Sequence, residues 1–339
     1  MTEIDRTITL AREADLKDEL ERALFEMKRV IVGQEQMLER VLVGLLAGGH
    51  LLIEGVPGLA KTLTVKTLAE VFGGTFHRVQ FTPDLVPSDL VGTRIYRQGD
   101  GAFDTELGPV FCNFLLADEI NRAPAKVQSA LLEVMQEHQV TIGGKTYAVP
   151  EPFLVLATQN PIEAEGTYPL PEAQVDRFML KVLVDYPDYA DELTVVQRSL
   201  AGQAQVEQIV PAELLRELQE AAASVYVDPH VTSYAVTLVL ATRRPAAHGL
   251  DELARHIAFG ASPRGSIYLI HAARALALLR GRRYALPQDV HELAKDVLRH
   301  RLVLTYEALA EEVTADSILD AVLRSVEMPR IDLTREAAA

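Results

Sequence analysis

Chemistry is signalled first by Gly55-Val56-Pro57-Gly58-Leu59-Ala60-Lys61-Thr62, which follows the apolar run Leu51-Leu52-Ile53 and opens a helical pattern that includes Leu63. Glycines let a backbone wrap so that successive N–H groups point at phosphate oxygens, and the next helix adds its free amides and dipole. In such a cradle Lys61 would neutralise terminal phosphates and the Thr62 hydroxyl would ligate Mg²⁺. The generic pattern has Gly immediately before the Lys. This chain has Ala60 there, so the loop closes provided that the position needs no positive φ. A plain Gly/Pro-rich turn between strand and helix is the competing reading.

A second signal is Phe114-Leu115-Leu116-Ala117-Asp118-Glu119, an apolar strand ending in adjacent carboxylates. They leave the sheet at its carboxyl edge, where ligands of open α/β sheets bind. Asp118 would hold Mg²⁺ through its hydration shell and Glu119 would polarise a water in line with a γ-phosphate. A solvated acidic pair is the alternative, weakened by the cradle upstream. A third strand pattern, Phe153 to Thr158, ends in Gln159-Asn160-Pro161, where the neutral Asn160 amide could orient that water or simply form a turn. Arg177, in Pro171-Glu172-Ala173-Gln174-Val175-Asp176-Arg177-Phe178, could pair with Asp176 or Glu172, or reach a neighbouring subunit's γ-phosphate. Arg264 sits two residues after the expected helix N-cap, Ser262, where a cation opposes the dipole and so suggests an anionic partner.

The elements that must position these residues divide near Asp185. Before it, five strand-length apolar runs alternate with helical patterns: His50 to Glu54, Thr75 to Phe81, Phe114 to Asp118, Phe153 to Thr158 and Met179 to Val182. That alternation predicts an α/β fold with a parallel five-stranded core. Crossover helices are expected over Lys61 to Phe72 and Pro124 to Glu137, and amphipathic helices over Leu20 to Ile31 and Gln34 to Ala47. After Asp185 the strand signal fades, and helices are expected over Ala190 to Leu200, Pro211 to Ser224, Pro263 to Leu279, Pro287 to Leu298 and Thr314 to Val326. The expected organisation is a nucleotide core, 1–184, and a C-terminal α-helical domain, 185–339.

Composition excludes several classes. The 339 residues are 48% apolar and 24% charged, enough for a sizeable core. With 33 Lys+Arg against 48 Asp+Glu the net charge is −15, which disfavours a general nucleic-acid coater or a polybasic membrane binder. One cysteine, Cys112, allows no intramolecular disulfide and fits a reducing compartment; the histidines show no metal-ligand spacing. The polar stretch Met1 to Asp18 has no secretory core, and the longest apolar run, Val41 to Ile53, is too short for a membrane span. A cytoplasmic protein is expected. From Arg243 to Arg301, however, 11 basic residues face 5 acidic ones.

Taken in order, GVPGLAKT, FLLADEI, ATQNP, PEAQVDRF and GASPRG resemble the motif series of an AAA+ ATPase, and the set resembles the MoxR family from Val32-Gly33-Gln34 onward. Ala60 matches that family's usual G-x-P-G-x-A-K-T. The resemblance implies a P-loop AAA+ core with an α-helical lid, binding ATP and Mg²⁺. It makes Lys61 and Thr62 the Walker A pair, Asp118 and Glu119 the Walker B pair, Asn160 sensor 1 and Arg264 sensor 2. It makes Arg177, rather than Arg122, the arginine finger, and sets Ile31, Val32 and Gly33 beside the adenine. Two insertions fit its helix-2-insert branch: about 82–113, with a hairpin around Arg97 to Gly101, and a hairpin at about 139–148 around Gly143-Gly144. It further implies a homo-oligomeric ring, expected to be a hexamer, that remodels protein clients, commonly with a partner bearing a von Willebrand factor A (VWA) domain. An ATP-dependent binding scaffold with little turnover stays open; a nucleic-acid motor is disfavoured by charge.

Overall fold

Consecutive apolar residues can sit in a strand only where both faces are covered, and the first half of the chain meets that condition. A computed structural model of the chain describes residues 3–56, 58–97, 99, 101–160, 166–202 and 205–331. Its strands in this half are β1 (Leu51–Gly55), β2 (Phe76–Gln80), β3 (Gly92–Arg97), β4 (Ala102–Leu107), β5 (Phe114–Asp118), β6 (Gln139–Ile142), β7 (Lys145–Ala148), β8 (Leu154–Gln159) and β9 (Leu180–Val184). Five of them form one sheet in the order β2-β5-β8-β1-β9, with β2–β5, β5–β8 and β8–β1 parallel. The central strands β5 and β8 are buried along almost their whole length, whereas the edge strand β2 is largely open. β1, β2, β5 and β8 therefore end at the same carboxyl edge.

Helices α1 (Glu3–Val30), α2 (Glu35–Leu46), α3 (Lys61–Val71), α4 (Pro87–Val91) and α5 (Ala125–Glu137) accompany this sheet. On α5, Val127, Leu131, Val134 and Met135 share one face and join the core cluster of Leu115, Ala117, Val155 and Phe178. Cys112 is buried in the same cluster, and burial pushes its thiol up to about 12, so it stays protonated. The long insertion is rooted there too, by Leu90 and Val110. Beyond that root it forms the β3–β4 hairpin, and the β6–β7 hairpin packs beside it. Tyr147 Oη donates to Thr105 Oγ1 at 3.1 Å, and a Cβ on Gly143 would fall 1.9 Å from Arg94 Cδ. Tyr96 and Phe103 pair on the first hairpin with ring centres 5.2 Å apart, and both are more than half exposed, at 52% and 61%.

By contacts the chain separates into two units, Met1–Phe178 with Val182–Leu218, and Met179–Lys181 with Gln219–Ala339. The first also holds α6 (Glu172–Val175) and α7 (Tyr189–Ala201), and α8 (Ala212–Ser224) runs across the boundary. The second is built on α9 (Pro229–Arg243), α10 (Pro263–Leu279), α11 (Pro287–Leu298), α12 (Tyr306–Ala310) and α13 (Ala315–Ser325). Asp228 and Ser262 cap α9 and α10 through their side-chain oxygens, each with a proline in the first turn. The arginine-rich stretch is largely committed inside this unit. Arg255 pairs with Glu307 and Glu311, Arg280 with Glu292, Arg282 with Asp289, and Arg299 with Asp296 and Asp316. Of the carboxylates in these pairs, Glu307, Glu311 and Asp316 come from outside the stretch and offset half of its local excess of positive charge. No helix among the described residues is long and apolar enough to cross a membrane.

His50 shows how tightly the sheet is tied down. It lies just before β1 and is 6% exposed. The Val155 N–H of β8 donates to its Nδ1 at 3.0 Å, so the proton sits on Nε2, 3.1 Å from the Met135 carbonyl of α5. Burial pulls the imidazole down to about 4, helped by His138 and opposed by the Met135 carbonyl. The unfolded chain takes up this proton near pH 6.5 and the folded one only near 4. The neutral ring's contribution is thus complete above pH 6.5 and drains away as pH falls toward 4, on the order of 3 kcal/mol in all. Urea unfolding at pH 7 and pH 4.5 should show that loss, and His50→Gln should flatten the difference between the two pH values.

Candidate functional site

The carboxyl edge of the sheet opens into a cavity of about 420 Å³. Gly55 and Gly58 to Leu63 line it from the loop after β1; Asp118 and Glu119 line it from β5, and Thr158 to Asn160 from β8. Two residues of β2, Arg78 and Gln80, complete the wall.

The loop needs its glycines for two different reasons. A Cβ on Gly55 would meet the Val184 carbonyl at 2.5 Å, and Gly58 has φ +88°. Ala60 departs from expectation: its φ is +55° and its ψ 16°, so the position does adopt left-handed backbone, at a cost of about 1–2 kcal/mol for a residue with a Cβ. From that conformation Ala60 starts α3, its carbonyl accepting from Thr64 N–H at 2.8 Å. Ala60 has no side-chain acceptor, so the amides of Lys61, Thr62 and Leu63 begin the helix uncapped beside the cavity. Free amides at a helix start are the kind of group that attracts anions. Lys61 Nζ donates to the Gly55 carbonyl at 2.6 Å. Burial lowers its ammonium pKa, against the opposing pull of Asp118, Glu119 and Glu54.

Two adjacent carboxylates are held by a shared hydroxyl. Thr158 Oγ1 donates to Asp118 Oδ1 at 2.6 Å and accepts the Glu119 N–H at 2.9 Å. Glu119 has φ +56°, so the strand ends there in left-handed backbone. Among the described residues four non-glycines have positive φ, Ala60, Glu119, His138 and Glu312, and two of these line this one cavity. Clustering of such strain is a mark of functional sites. Arg78 donates to Asp118 Oδ2 through Nη2 at 2.6 Å and Nε at 3.2 Å. Glu119 Oε2 accepts from Gln80 at 2.8 Å and pairs with Arg122 Nε at 2.9 Å.

The structure thus brings Gly55, Gly58, Leu59, Ala60, Lys61, Thr62, Leu63, Asp118, Glu119 and Asn160 to one cavity. Val56 lies in the same loop, and Pro57 falls outside the described residues. Ile31, Val32 and Gly33 form the turn between α1 and α2, where a Cβ on Gly33 would come within 2.7 Å of Asp191 Oδ2. Arg177 is half-buried just after α6 and does not line the cavity. Arg264 is in the first turn of α10, in the second unit. Sequence reasoning passed over Arg78, Gln80 and Thr158. The parallel register that sets Gln80 opposite Asp118 is the one signal that reveals the first two.

Residues 50–180 match the model of the ATPase family associated with various cellular activities (AAA), and residues 252–322 match the AAA lid domain. The chain is 60% identical to Chaperone MoxR1 of Mycobacterium tuberculosis over 313 residues, which is 92% of this chain and 83% of that protein. It is 33% identical to Protein MoxR of Paracoccus denitrificans over 319 residues, 88% of this chain and 93% of that one. Among solved structures, that of a candidate ATPase from Cytophaga hutchinsonii superposes with a TM-score of 0.91 at 49% identity, covering 96% of this chain and all of the other.

The bridging hydroxyl makes a direct prediction. Thr158→Val keeps the shape of the buried side chain but leaves the Glu119 N–H and one Asp118 oxygen without their partner. Denaturant unfolding should show a loss of about 1–3 kcal/mol, and Thr158→Ser should recover most of it.

Proposed function

The chain belongs to the MoxR family of AAA+ ATPases, and from that premise we propose that it hydrolyses ATP at the sheet's carboxyl edge to remodel protein clients. The observation that carries this reading is the convergence of uncapped helix amides, Lys61, Thr62, Asp118, Glu119 and Asn160 on one cavity. In this reading the first unit acts as the nucleotide core and the second as the lid, which moves residues 185–218 from the lid expected over 185–339 to the core expected over 1–184, and Ile31, Val32 and Gly33 lie beside the adenine. The cradle amides and Lys61 bind the phosphates, Glu119 takes the proton of the attacking water, and Asn160 orients that water. Thr62 and Asp118 would hold Mg²⁺, which supplies charge neutralisation at the phosphates; a hydroxyl and a carboxylate facing one cavity are a fitting pair for it.

In this reading the active assembly is a cytoplasmic homo-oligomeric ring, expected to be a hexamer. Arg177 serves the neighbouring subunit's γ-phosphate as the finger and Arg264 serves as sensor 2. Arg122 is engaged by Glu119 of its own chain, which supports Arg177 for the role in trans. The exposed Tyr96–Phe103 pair on the first insertion is suited to gripping an unfolded or partly unfolded client. The chaperone name of the mycobacterial relative supports a client protein, and a VWA-domain protein is the expected partner. A scaffold that switches partner affinity on ATP occupancy has one observation in its favour: Glu119 Oε2 already accepts from both Gln80 and Arg122, so that oxygen is engaged by protein donors before any water reaches it. Steady-state phosphate release separates the two readings.

Glu119→Gln should still bind ATP while turnover falls about 10²–10⁴-fold, as for loss of a general base; unchanged hydrolysis would remove Glu119 from that role. Arg177→Ala should lose about 10³-fold or more of the phosphate-release rate. Mixing Arg177→Ala with Lys61→Ala chains should restore part of it, because one intact shared site then forms. A mixture no more active than its components contradicts the shared site.

A further inference from the structure

Arg78 is a cation in the wall of the cavity that the proposed mechanism leaves unused. It stands on the edge strand β2, directly beside β5, and its side chain is 48% exposed. Two of its nitrogens reach the same oxygen, Asp118 Oδ2, at 2.6 and 3.2 Å, and Nη2 also reaches Gln80 Oε1 at 3.1 Å. The other Asp118 oxygen is fixed differently. Oδ1 accepts from Thr158, which is 1% exposed and is itself held by the Glu119 N–H. Both oxygens of the carboxylate offered to a divalent cation are therefore committed to protein donors. Only the Arg78 arm, long, half-exposed and on an open edge, can move away without breaking the buried bridge.

We propose that Arg78 is the resident counter-ion of Asp118 and a positioning residue that sets the metal dependence of nucleotide binding, giving up Oδ2 when the carboxylate is shared with a divalent cation. The inference rests on the reading of the cavity as a nucleotide site. Its physical content is a competition with a sign. While Arg78 holds Oδ2, the cavity is less negative by one charge, which aids entry of a metal-free polyphosphate and opposes uptake of Mg²⁺. Without it, Asp118 and Glu119 attract the cation more strongly and repel the bare phosphates more strongly. A merely structural ion pair predicts no such split, and a direct Arg78–phosphate contact predicts loss under both conditions.

The test is binding of a fluorescent ADP to the full chain, titrated with Mg²⁺ and repeated in EDTA, with no turnover involved. Arg78→Gln should lower the Mg²⁺ concentration for half-maximal binding about 3- to 10-fold and weaken binding in EDTA by a similar factor, the range for a partly screened charge. Arg78→Lys, which cannot place two nitrogens on Oδ2, should shift both in the same directions by less; it also decides the matter if the glutamine variant folds poorly. Arg97→Gln, which removes an exposed pair with Asp104 on the β3–β4 hairpin, is the control and should move neither. Equal weakening with and without metal, or no change in either, overturns the proposal. An unaltered chain that binds no ADP at any Mg²⁺ concentration instead overturns the nucleotide reading beneath it.

Discussion

Two carboxylates on consecutive residues repel one another, and the site depends on how that repulsion is contained. Asp118 and Glu119 end a strand that is buried from Phe114 to Ala117, so their charges arise at the border of a low-dielectric core. Thr158 answers with a single oxygen, a donor toward Asp118 and an acceptor toward the Glu119 amide. The left-handed turn at Glu119 ends the strand at that point, and each carboxylate then meets a separate guanidinium, Arg78 or Arg122. Neighbouring strands of the sheet supply the groups that control β5: β2 gives Arg78 and Gln80, and β8 gives Thr158. The parallel sheet thus serves as more than a platform. Its strand order decides which side chains can reach the acidic pair.

Much of this was legible in the sequence, for identifiable reasons. Strands buried on both faces read as unbroken apolar runs, so Phe114–Asp118 could be placed to the residue. The turn from β1 into α3 was legible because Gly55, Gly58, Lys61 and Thr62 follow one another at a fixed local spacing. What depended on pairing between distant segments was not. Arg78 lies 40 residues from Asp118 in sequence, and on its own strand it reads as an ordinary exposed edge residue. Thr158 is a common residue type in strands, and nothing local shows that its hydroxyl closes a bridge. Helix α9 was missed because Val231, Thr232, Val236, Thr237 and Val239 are β-branched; Asp228-Pro229 was the signal, an N-cap followed by a ring at the first turn.

Ala60 shows that a loop can close through a conformation that its residue type disfavours. The chain does form its loop with alanine before the lysine, but in left-handed backbone, so the condition of no positive φ is not met and the loop closes all the same. The strain persists because its surroundings over-determine it. Thr64 is bonded to the Ala60 carbonyl through both N–H and hydroxyl, and α3 is buried through Val65, Leu68 and Val71. A stable helix thereby holds its own first turn in an unfavourable shape. The outcome is uncapped amides beside the cavity, and a capping side chain at that position would compete with any anion for them.

The bulk charge of −15 is a poor guide to a protein that handles an anion, and the placement of cations explains why. In the second unit Arg255, Arg280, Arg282 and Arg299 are matched to carboxylates of the same unit, so the local excess in the sequence overstates the charge left open there. In the cavity the balance differs in kind. Lys61 is partly buried, and burial alone favours its neutral form; Asp118, Glu119 and Glu54 are what oppose that loss of charge. The same carboxylates that would repel a polyphosphate at long range therefore help to keep the lysine cationic at short range. Removing them would make the cavity less acidic but would also leave the Lys61 ammonium with burial alone acting on it, so under the proposed function acidity and anion binding support each other at this edge.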